Sequence, residues 1–315
     1  MKAIVYVGPG ELALLDRSEP RPDPGQVVVE VAHYGICGTD LLMWSGGLAR
    51  VRPPVIVGHE FCGVVADNGD CAEVPVGQRV AVEPLLSCET CPTCRSGASH
   101  VCERLRILGV DADGAAARYV SVPATRLHPL PDSLSLRDAA LTEPASVAVH
   151  MVRRSGTQVG DRILVVGGGP IGALVASVCR TAGAAMVVVS EPNETRRALI
   201  AGIGIDTFDP VTDDRQRLLD RVDGSGFDVV FELTGVAAGL ASTAAFARPQ
   251  GTILLGGLPH GDLPFPVSAA VTKELTLVGA RVYRSDDMAN AVRLLAQGAI
   301  AADALITREV PLFDA

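Results

Sequence analysis

Aromatic residues and positive charge are both scarce in this 315-residue sequence. Phe, Tyr and Trp make up 4% of the chain, and 27 Lys and Arg stand against 36 Asp and Glu, a formal net charge of −9. Binding of nucleic acid needs cationic side chains and stacking rings, so this composition argues against a nucleic-acid partner. Long apolar runs are also missing, because none approaches the roughly 18–20 residues that span a bilayer. We therefore expect no membrane partner.

The N-terminus and the length favour a cytoplasmic protein of two domains. The opening Met-Lys-Ala-Ile-Val-Tyr-Val-Gly is too short an apolar stretch for a secretory signal and lacks a cleavage-type ending. At about 150 residues per domain, the chain is long enough for two cores that need no disulfides. Because a reducing cytosol disfavours structural disulfides, the eight cysteines need another explanation.

Half of the cysteines form one cluster with C-x2-C-x2-C-x7-C spacing. Its members are Cys88, Cys91, Cys94 and Cys102. Pro84, Pro92 and Gly97 predict a loop here rather than a helix. Four thiols in one loop can converge on a tetrahedral zinc ion with Zn–S distances of about 2.3 Å. Disulfides and an iron–sulfur cluster are the alternatives, although the C-x2-C-x2-C-x3-C-P run of bacterial clusters is absent. We interpret Cys62, Cys71 and Cys179 as packing residues.

The hydrophobic pattern changes near residue 135. Before it, short apolar runs separated by turn formers predict strands of a barrel or sandwich. These runs are Ala3–Val7, Val27–Val31, Val64–Val65, Arg79–Val82 and Tyr119–Val122. After it, apolar strands alternate with segments long enough for crossover helices, which predicts a doubly wound parallel sheet. The strands of this second half are Ile163–Val166, Met186–Val189, Asp228–Phe231, Thr252–Leu255 and Leu275–Val278.

A glycine-rich turn follows the first strand of the second half. The G-x-G-x-x-G pattern comprises Gly167, Gly169, Pro170, Ile171 and Gly172 around Gly168. The pattern alone is weak, but a strand precedes it and Pro170 suits the first turn of a helix. The glycines permit a tight turn and close approach of a pyrophosphate, which the helix N-terminus attracts. This segment predicts a dinucleotide-binding site.

Glu191 follows the second strand of that half, 19 residues after Gly172. A carboxylate at this place can accept hydrogen bonds from both ribose hydroxyls and would repel a 2′-phosphate, which favours NAD over NADP. Arg196 and Arg197 come soon afterwards and would instead favour NADP. The remaining alternative is that Glu191 is a solvated loop charge.

Three fragments offer ligands for a catalytic metal. Cys37, His59 and Glu143 supply a thiolate, an imidazole and a carboxylate, and Glu60 is a possible fourth or exchanging ligand. A catalytic zinc ion needs such a set and one open position, where it acts as a Lewis acid on an alcohol oxygen. Singly these residues are weak signals, since a lone cysteine or histidine is more often a packing residue.

The order of these motifs resembles the zinc-dependent medium-chain dehydrogenases/reductases of the alcohol dehydrogenase superfamily. The resemblance rests on Cys37-Gly-Thr-Asp40, Gly58-His-Glu60, the cysteine cluster, Glu143-Pro144 and Gly167–Gly172, and it covers nearly the whole chain. Val82-Glu-Pro-Leu85 and Leu141-Thr-Glu-Pro-Ala145 are similar to the polyol and diol branch, such as sorbitol, 2,3-butanediol and threonine dehydrogenases. Glutamate at position 143, where ordinary alcohol dehydrogenases carry cysteine, points the same way.

The resemblance implies an α/β architecture and specific roles. It implies a GroES-like β-barrel catalytic domain at 1–146 with a structural-zinc lobe at about 84–104, a Rossmann NAD-binding domain at 147–283 and a C-terminal return segment at 284–315. Catalytic zinc would be held by Cys37, His59 and Glu60, with Glu143 bound directly or through water. Thr39 would hydrogen-bond the substrate oxygen, and Asp40 would orient His59. The four-cysteine cluster would hold structural zinc.

Two departures from the family pattern stand out. Many relatives carry a proton-relay histidine two residues after the aspartate, where this chain has Leu42. The chain also ends at Ala315, whereas relatives usually continue with another helix and strand, so the return segment is short.

The expected activity is NAD-dependent interconversion of a secondary alcohol and its ketone, with NADP less favoured. The substrate would be a polyol, a vicinal diol or an amino alcohol, and the enzyme a homodimer or homotetramer. Two alternatives stay open: a sugar or cyclitol dehydrogenase of a biosynthetic pathway, and a catalytically reduced nucleotide-binding sensor or assembly protein.

Overall fold

A computed structural model describes residues 1–312 as two compact units. The first unit comprises Met1–Glu143, Arg284–Ala296 and the segment that begins at Arg308, and the second comprises Pro144–Tyr283 and Gln297–Thr307. The chain therefore leaves the first unit after Glu143 and returns to it twice. The boundaries at 146 and 283 that the resemblance implies stay predictions, and residues 313–315 of the implied return segment lie outside the described residues.

The first unit is built from short antiparallel strands. They are β1 (Lys2–Gly8), β2 (Glu11–Asp16), β3 (Gln26–Gly35), β4 (Val55–Ile56), β5 (Glu60–Asp67), β6 (Arg79–Val82), β7 (Leu85–Leu86), β8 (Arg106–Ile107), β9 (Tyr119–Pro123) and β10 (Leu127–Pro129). One sheet has the order β10-β6-β5-β3-β9, a second has β2-β1-β4, and β7 pairs with β8. β-Branched residues from neighbouring strands of the long sheet share one core cluster, in which Val27, Val29, Val80 and Val82 are fully buried.

The second unit contains a six-stranded parallel sheet. Its strands are β11 (Arg162–Val166), β12 (Met186–Ser190), β13 (Asp206–Phe208), β14 (Phe227–Glu232), β15 (Ala247–Leu255) and β16 (Thr276–Gly279). The order is β13-β12-β11-β14-β15-β16. Successive strands are added on one side of β11 up to β13, and the chain then crosses to the other side of β11 to add β14, β15 and β16. Strands covered on both faces need continuous apolar sequence, and Ile163, Leu164 and Val165 are completely buried. The predicted doubly wound sheet is confirmed, with β13 as a strand that the pattern did not predict.

Helices occur in both units, and those of the second unit connect the strands of its parallel sheet. They are α1 (Gly38–Trp44), α2 (Pro92–Arg95), α3 (Leu136–Ala139), α4 (Thr142–Ser155), α5 (Pro170–Thr181), α6 (Glu194–Gly202), α7 (Arg215–Asp220), α8 (Ala237–Phe246), α9 (Val267–Lys273), α10 (Ser285–Ala296) and α11 (Ala302–Leu305). Within residues 1–312, no helix combines the length and apolar character that crossing a bilayer requires. The prediction of a loop around the cysteine cluster is wrong at one place, because Pro92 begins the short helix α2. Proline is tolerated there because the N–H groups of the first helical turn have no partner within the helix.

Candidate active site

Strand pairing brings the predicted metal ligands of the first unit together. β3 pairs antiparallel with β5 so that Gly35, the last residue of β3, lies opposite Glu60, the first residue of β5. Cys37 follows two residues after the end of β3, and His59 immediately precedes β5. The register therefore places two segments that are far apart in sequence at one end of the same sheet.

The backbone at this end is adapted to close packing. Gly58 has a φ of +94°, a left-handed conformation that a side chain would strain, and a Cβ there would lie 3.0 Å from the ring of Tyr34. A Cβ at Gly35 would collide with the carboxylate of Glu60. Glycine at both positions lets His59 and Glu60 lie against the neighbouring strand.

Cys37, His59 and Glu60 form a group that could hold a metal ion. One ligand atom of each, a sulfur, an imidazole nitrogen and a carboxylate oxygen, lies within 4.8 Å of the other two. His59 and Glu60 are 6% and 8% exposed, and Cys37 is half-buried. A thiolate, an imidazole and a carboxylate are donors that zinc prefers, and three protein ligands leave a fourth tetrahedral position for water or substrate. The residues present therefore fit a catalytic zinc ion.

Asp40 links two members of this group. Its Oδ2 accepts a hydrogen bond of 2.8 Å from the backbone N–H of Cys37, and its Oδ1 lies 3.6 Å from Nδ1 of His59. The aspartate sits in the first turn of α1, the helix that Cys37 caps, and Thr39 lies beside it in the same turn. This is the position predicted for a residue that orients His59, and the carboxylate lies next to the ring nitrogen.

The electrostatics of the group favour a protonated state of the metal-free protein. Burial alone would lower the pKa of His59, but the neighbouring Asp40 and Cys37 and the charge of Glu143 outweigh it and raise that pKa to about 11. Burial raises the pKa of the Cys37 thiol, and it also raises the pKa of Glu60. Burial thus makes the charged form of both acidic groups less favourable, a cost that a bound divalent cation offsets.

Glu143 lies in the neighbourhood but not in the ligand group. It stands in the first turn of α4, is 7% exposed and acts on the pKa of His59 through its charge. Its carboxylate is absent from the set of ligand atoms within 4.8 Å that Cys37, His59 and Glu60 form. Of the four residues predicted for the catalytic metal, the structure brings three together and leaves Glu143 outside them.

The four-cysteine cluster converges in the loop between β7 and β8. One sulfur of each of the four residues lies within 4.8 Å of the others, and all eight cysteines of the chain are free thiols. Backbone N–H groups point at the sulfurs: Cys91 donates to Cys88, and Cys94 donates to Cys91, each at 3.4 Å. Convergence of four thiols with N–H donors fits a closed tetrahedral zinc site. The three other cysteines outside the ligand groups, Cys62, Cys71 and Cys179, are buried, as predicted for packing residues.

In the second unit, the glycine-rich turn joins β11 to α5. Gly167 has a φ of +107°, Gly169 caps the helix, and Pro170 is its first residue. A Cβ at Gly172 would overlap the carbonyl oxygen of Gly167, whereas nothing lies within 4 Å of a Cβ at Gly169. The third glycine of the motif thus permits helix–turn packing, while the second leaves open space at the helix N-terminus for a ligand phosphate. Ile171 lies in the first turn of the same helix.

Glu191 lies against this turn. Its Oε2 accepts a 2.8 Å hydrogen bond from the backbone N–H of Gly168, and its Oε1 accepts one of 2.9 Å from Asn193. The residue is 4% exposed at the end of β12. Arg196 lies 3.7 Å from the carboxylate, with 58% of its side chain exposed, whereas Arg197 forms an ion pair of 2.9 Å with Asp209. The structure brings Glu191 and Arg196 together beside the glycine turn.

Models of two protein families match the two parts of the chain. The alcohol dehydrogenase GroES-like domain matches residues 23–132, and the zinc-binding dehydrogenase matches residues 170–297. The chain belongs to the zinc-binding dehydrogenases. This dehydrogenase is an α/β protein with a GroES-like domain and a Rossmann-type sheet, as the sequence predicts. It interconverts a secondary alcohol and its ketone, and Zn²⁺ and NAD(P) are the cofactors of its family.

The relatives of the dehydrogenase act on sugar acids and diols. It is 39% identical to 2-dehydro-3-deoxy-L-galactonate 5-dehydrogenase of Pseudoalteromonas atlantica, over 100% of this chain and 93% of that protein. It is 34% identical to L-galactonate-5-dehydrogenase of Escherichia coli, over 99% and 92%. The crystal structure of 2R,3R-butanediol dehydrogenase from Bacillus subtilis superposes with a TM-score of 0.89 at 32% identity, over 96% of this chain and 90% of that one.

Sequence reasoning about the dehydrogenase did not single out Glu232. This glutamate ends β14 beside the point where the strand order reverses, and it is 3% exposed. Its carboxylate accepts hydrogen bonds from the backbone N–H groups of Thr234 at 2.9 Å and Gly235 at 3.1 Å. The available signal was an acidic residue at the end of an otherwise apolar parallel strand.

Proposed function

We propose that this dehydrogenase oxidises a secondary hydroxyl of a sugar acid or polyol to a ketone, with catalytic zinc held by Cys37, His59 and Glu60. The convergence of their three ligand atoms within 4.8 Å carries this proposal. The names of the two relatives at 39% and 34% identity support a sugar acid as the substrate class. The butanediol dehydrogenase supports a neutral diol as the second class of substrate to be tested.

Oxidation of the alcohol removes one proton, which leaves to solvent, and one hydride, which NAD⁺ would accept when bound. Zinc, when bound, supplies a Lewis acid that lowers the pKa of a hydroxyl. Thr39 hydrogen-bonds the substrate oxygen and begins removal of its proton, because its hydroxyl can accept that proton while passing its own toward solvent. Asp40 holds the Cys37 backbone at 2.8 Å and keeps Nδ1 of His59 oriented, so that Nε2 remains available as a ligand. Glu143 acts through its charge or through a bridging water.

Leu42 removes one route for the proton. Its side chain in α1 cannot accept a proton, so the relay runs from Thr39 through water or the cofactor ribose. A general acid–base step is commonly worth about 10²–10⁴-fold in rate, so the absence of the histidine slows turnover without abolishing it.

The four-cysteine lobe and Glu191 complete the assignment. We propose structural zinc at Cys88, Cys91, Cys94 and Cys102, and NAD rather than NADP as the preferred cofactor. The buried Glu191 carboxylate, bonded to Gly168, supports a ribose-diol contact and disfavours a 2′-phosphate. Arg196, whose guanidinium lies 3.7 Å from that carboxylate, is the residue that would instead favour NADP.

Two further proposals concern the oligomeric state and the location of the protein in the cell. We propose a homodimer or homotetramer, since β16 is an open edge of the six-stranded sheet and its Leu277, with Val267 and Val271 of α9, is exposed. A cytoplasmic location fits eight free thiols. Light scattering tests the assembly, and a monomer at micromolar concentration would contradict it.

The deciding experiment measures metal content and activity together. We expect two zinc ions per chain, and reduction of NAD⁺ with aldonates, polyols or vicinal diols. Cys37→Ser should lose one zinc ion and its turnover while still binding NADH, whereas Cys62→Ser, a buried cysteine outside both groups, should retain both. A wild-type protein that binds NADH but oxidises no member of the panel would refute the proposed function in favour of a nucleotide-binding sensor.

A further inference from the structure

An arginine side chain lies across the four-cysteine cluster. Nη2 of Arg104 donates a hydrogen bond of 3.3 Å to Sγ of Cys88 and one of 2.9 Å to Oγ1 of Thr90. The backbone N–H of the same residue donates to Sγ of Cys102 at 3.3 Å. One residue therefore contacts two of the four sulfurs, one through its main chain and one through its charged side chain.

The sulfur that the guanidinium contacts is on the accessible side of the cluster. Cys91 and Cys102 are 5% and 4% exposed, whereas Cys88 and Cys94 are half-buried. Arg104 itself is exposed and bridges from Cys88 to Thr90 over this side. The guanidinium therefore contacts one of the two cysteines of the cluster that are not fully buried.

Charge gives this contact its importance. Four thiolates with one Zn²⁺ carry a net charge of −2, and the peptide N–H groups that point at the sulfurs are neutral dipoles. A guanidinium at 3.3 Å from a sulfur adds a full positive charge and a charge-assisted hydrogen bond. Such a donor holds the sulfur in its ligating position, which opposes its departure from the ion.

We propose that Arg104 controls the retention of zinc in this lobe by clamping the Cys88 thiolate. The proposal rests on the structural zinc assigned above. Neighbouring arginines provide controls because they do other work: Arg106 donates at 3.0 Å to the carbonyl oxygen of Asp111, and Arg95 ends α2. Arg106→Met changes the net charge of the chain by the same amount as Arg104→Met, and the hydrogen bond that it removes does not involve a sulfur.

The test measures zinc release from the full chain in a Cys37→Ser background, which leaves the lobe as the loaded site. A colorimetric zinc chelator, 4-(2-pyridylazo)resorcinol, reports the release rate in the range where that rate no longer depends on chelator concentration. We expect Arg104→Met to release zinc about 10–100-fold faster, the usual effect of losing a residue that supports a metal ligand. Arg104→Lys should recover part of the loss, and Arg106→Met should match the parent.

Two further readouts separate a charge clamp from a purely structural side chain. The difference between the parent and Arg104→Met should shrink as salt rises, because Arg104 is exposed and its charge is screened. Thr90→Val should have a smaller effect than Arg104→Met. The proposal is overturned if Arg104→Met stays within twofold of the parent, or if Arg106→Met accelerates release equally. A parent without lobe zinc would instead overturn the site assignment, and the proposal with it.

Discussion

Zinc binding at Cys37, His59 and Glu60 should release at least two protons near pH 7, one from His59 and one from Cys37. The metal-free protein holds His59 as an imidazolium, since its pKa is raised to about 11, and holds Cys37 as a thiol, since burial raises its pKa. A pKa about four units above the working pH leaves only about one imidazole in 10⁴ neutral. Zinc binds neutral imidazole and thiolate, so both protons must leave when the ion enters.

The magnitude follows from this proton count. Each proton released changes the apparent zinc affinity about tenfold per pH unit, which is about 1.36 kcal/mol. Release of two protons therefore changes the apparent zinc affinity about 100-fold for each pH unit between pH 6 and 8, which is about 2.7 kcal/mol per unit. The sign is fixed: both folded-state pKa values are raised, so the metal-free form is stabilised by protons at low pH and zinc binds more tightly as pH rises.

Calorimetric titration of zinc in buffers of different ionisation enthalpy measures this number directly. The lobe is kept loaded, so that the catalytic group alone is filled. His59→Asn should release about one proton fewer than wild type, although it also binds more weakly. Cys62→Ser is the matched control, because that thiol is raised by burial to a pKa of about 12 but lies outside the ligand group. Release of less than one proton by wild type would refute the charge state derived for His59.

Three other changes test the second unit and the relay. Gly169→Ala should leave the melting temperature unchanged but weaken NADH binding at least tenfold. Gly172→Ala should instead destabilise the second unit, because only a Cβ at position 172 would meet backbone atoms. Fluorescence titration and thermal melts distinguish the two variants, and equal behaviour would contradict the assigned roles. Asp228 accepts hydrogen bonds from Arg162 and Arg248; burial opposes the charged form, but these bonds outweigh it and lower the pKa of the carboxyl. Asp228→Asn should therefore reduce the free energy of unfolding by about 2 kcal/mol at pH 7, and by progressively less as pH falls below about 4. A loss that chemical denaturation finds to be independent of pH would argue against the ion pairs. Leu42→His should raise turnover below pH 7, and an unchanged pH–rate profile would mean that the proton already has another route.

Much of the fold could be predicted because the local patterns and the tertiary structure agree. Ile163–Val166 is continuously apolar and becomes a strand buried on both faces, and Pro170 after three glycines begins a helix. The spacing of the four cysteines confines their sulfurs to one loop, so their convergence needs no distant contact. The short strand Asp206–Phe208 was missed, because three residues with an aspartate carry no periodic signal and are held by pairing with β12.

The candidate catalytic group depends on contacts that no local pattern contains. The sequence by itself determined which residues could ligate zinc or bind a dinucleotide, because donor chemistry and glycine conformations belong to individual residues and short motifs. Only the tertiary structure decided that Cys37 meets His59 and Glu60 while Glu143 stays outside their ligand group, since the β3–β5 register fixes that meeting across more than 20 residues of sequence. The tertiary structure likewise decided that Arg104 donates a hydrogen bond to Cys88 and that Glu232 accepts hydrogen bonds from two backbone N–H groups. Side-chain direction and burial arise from packing between segments, which no local pattern contains.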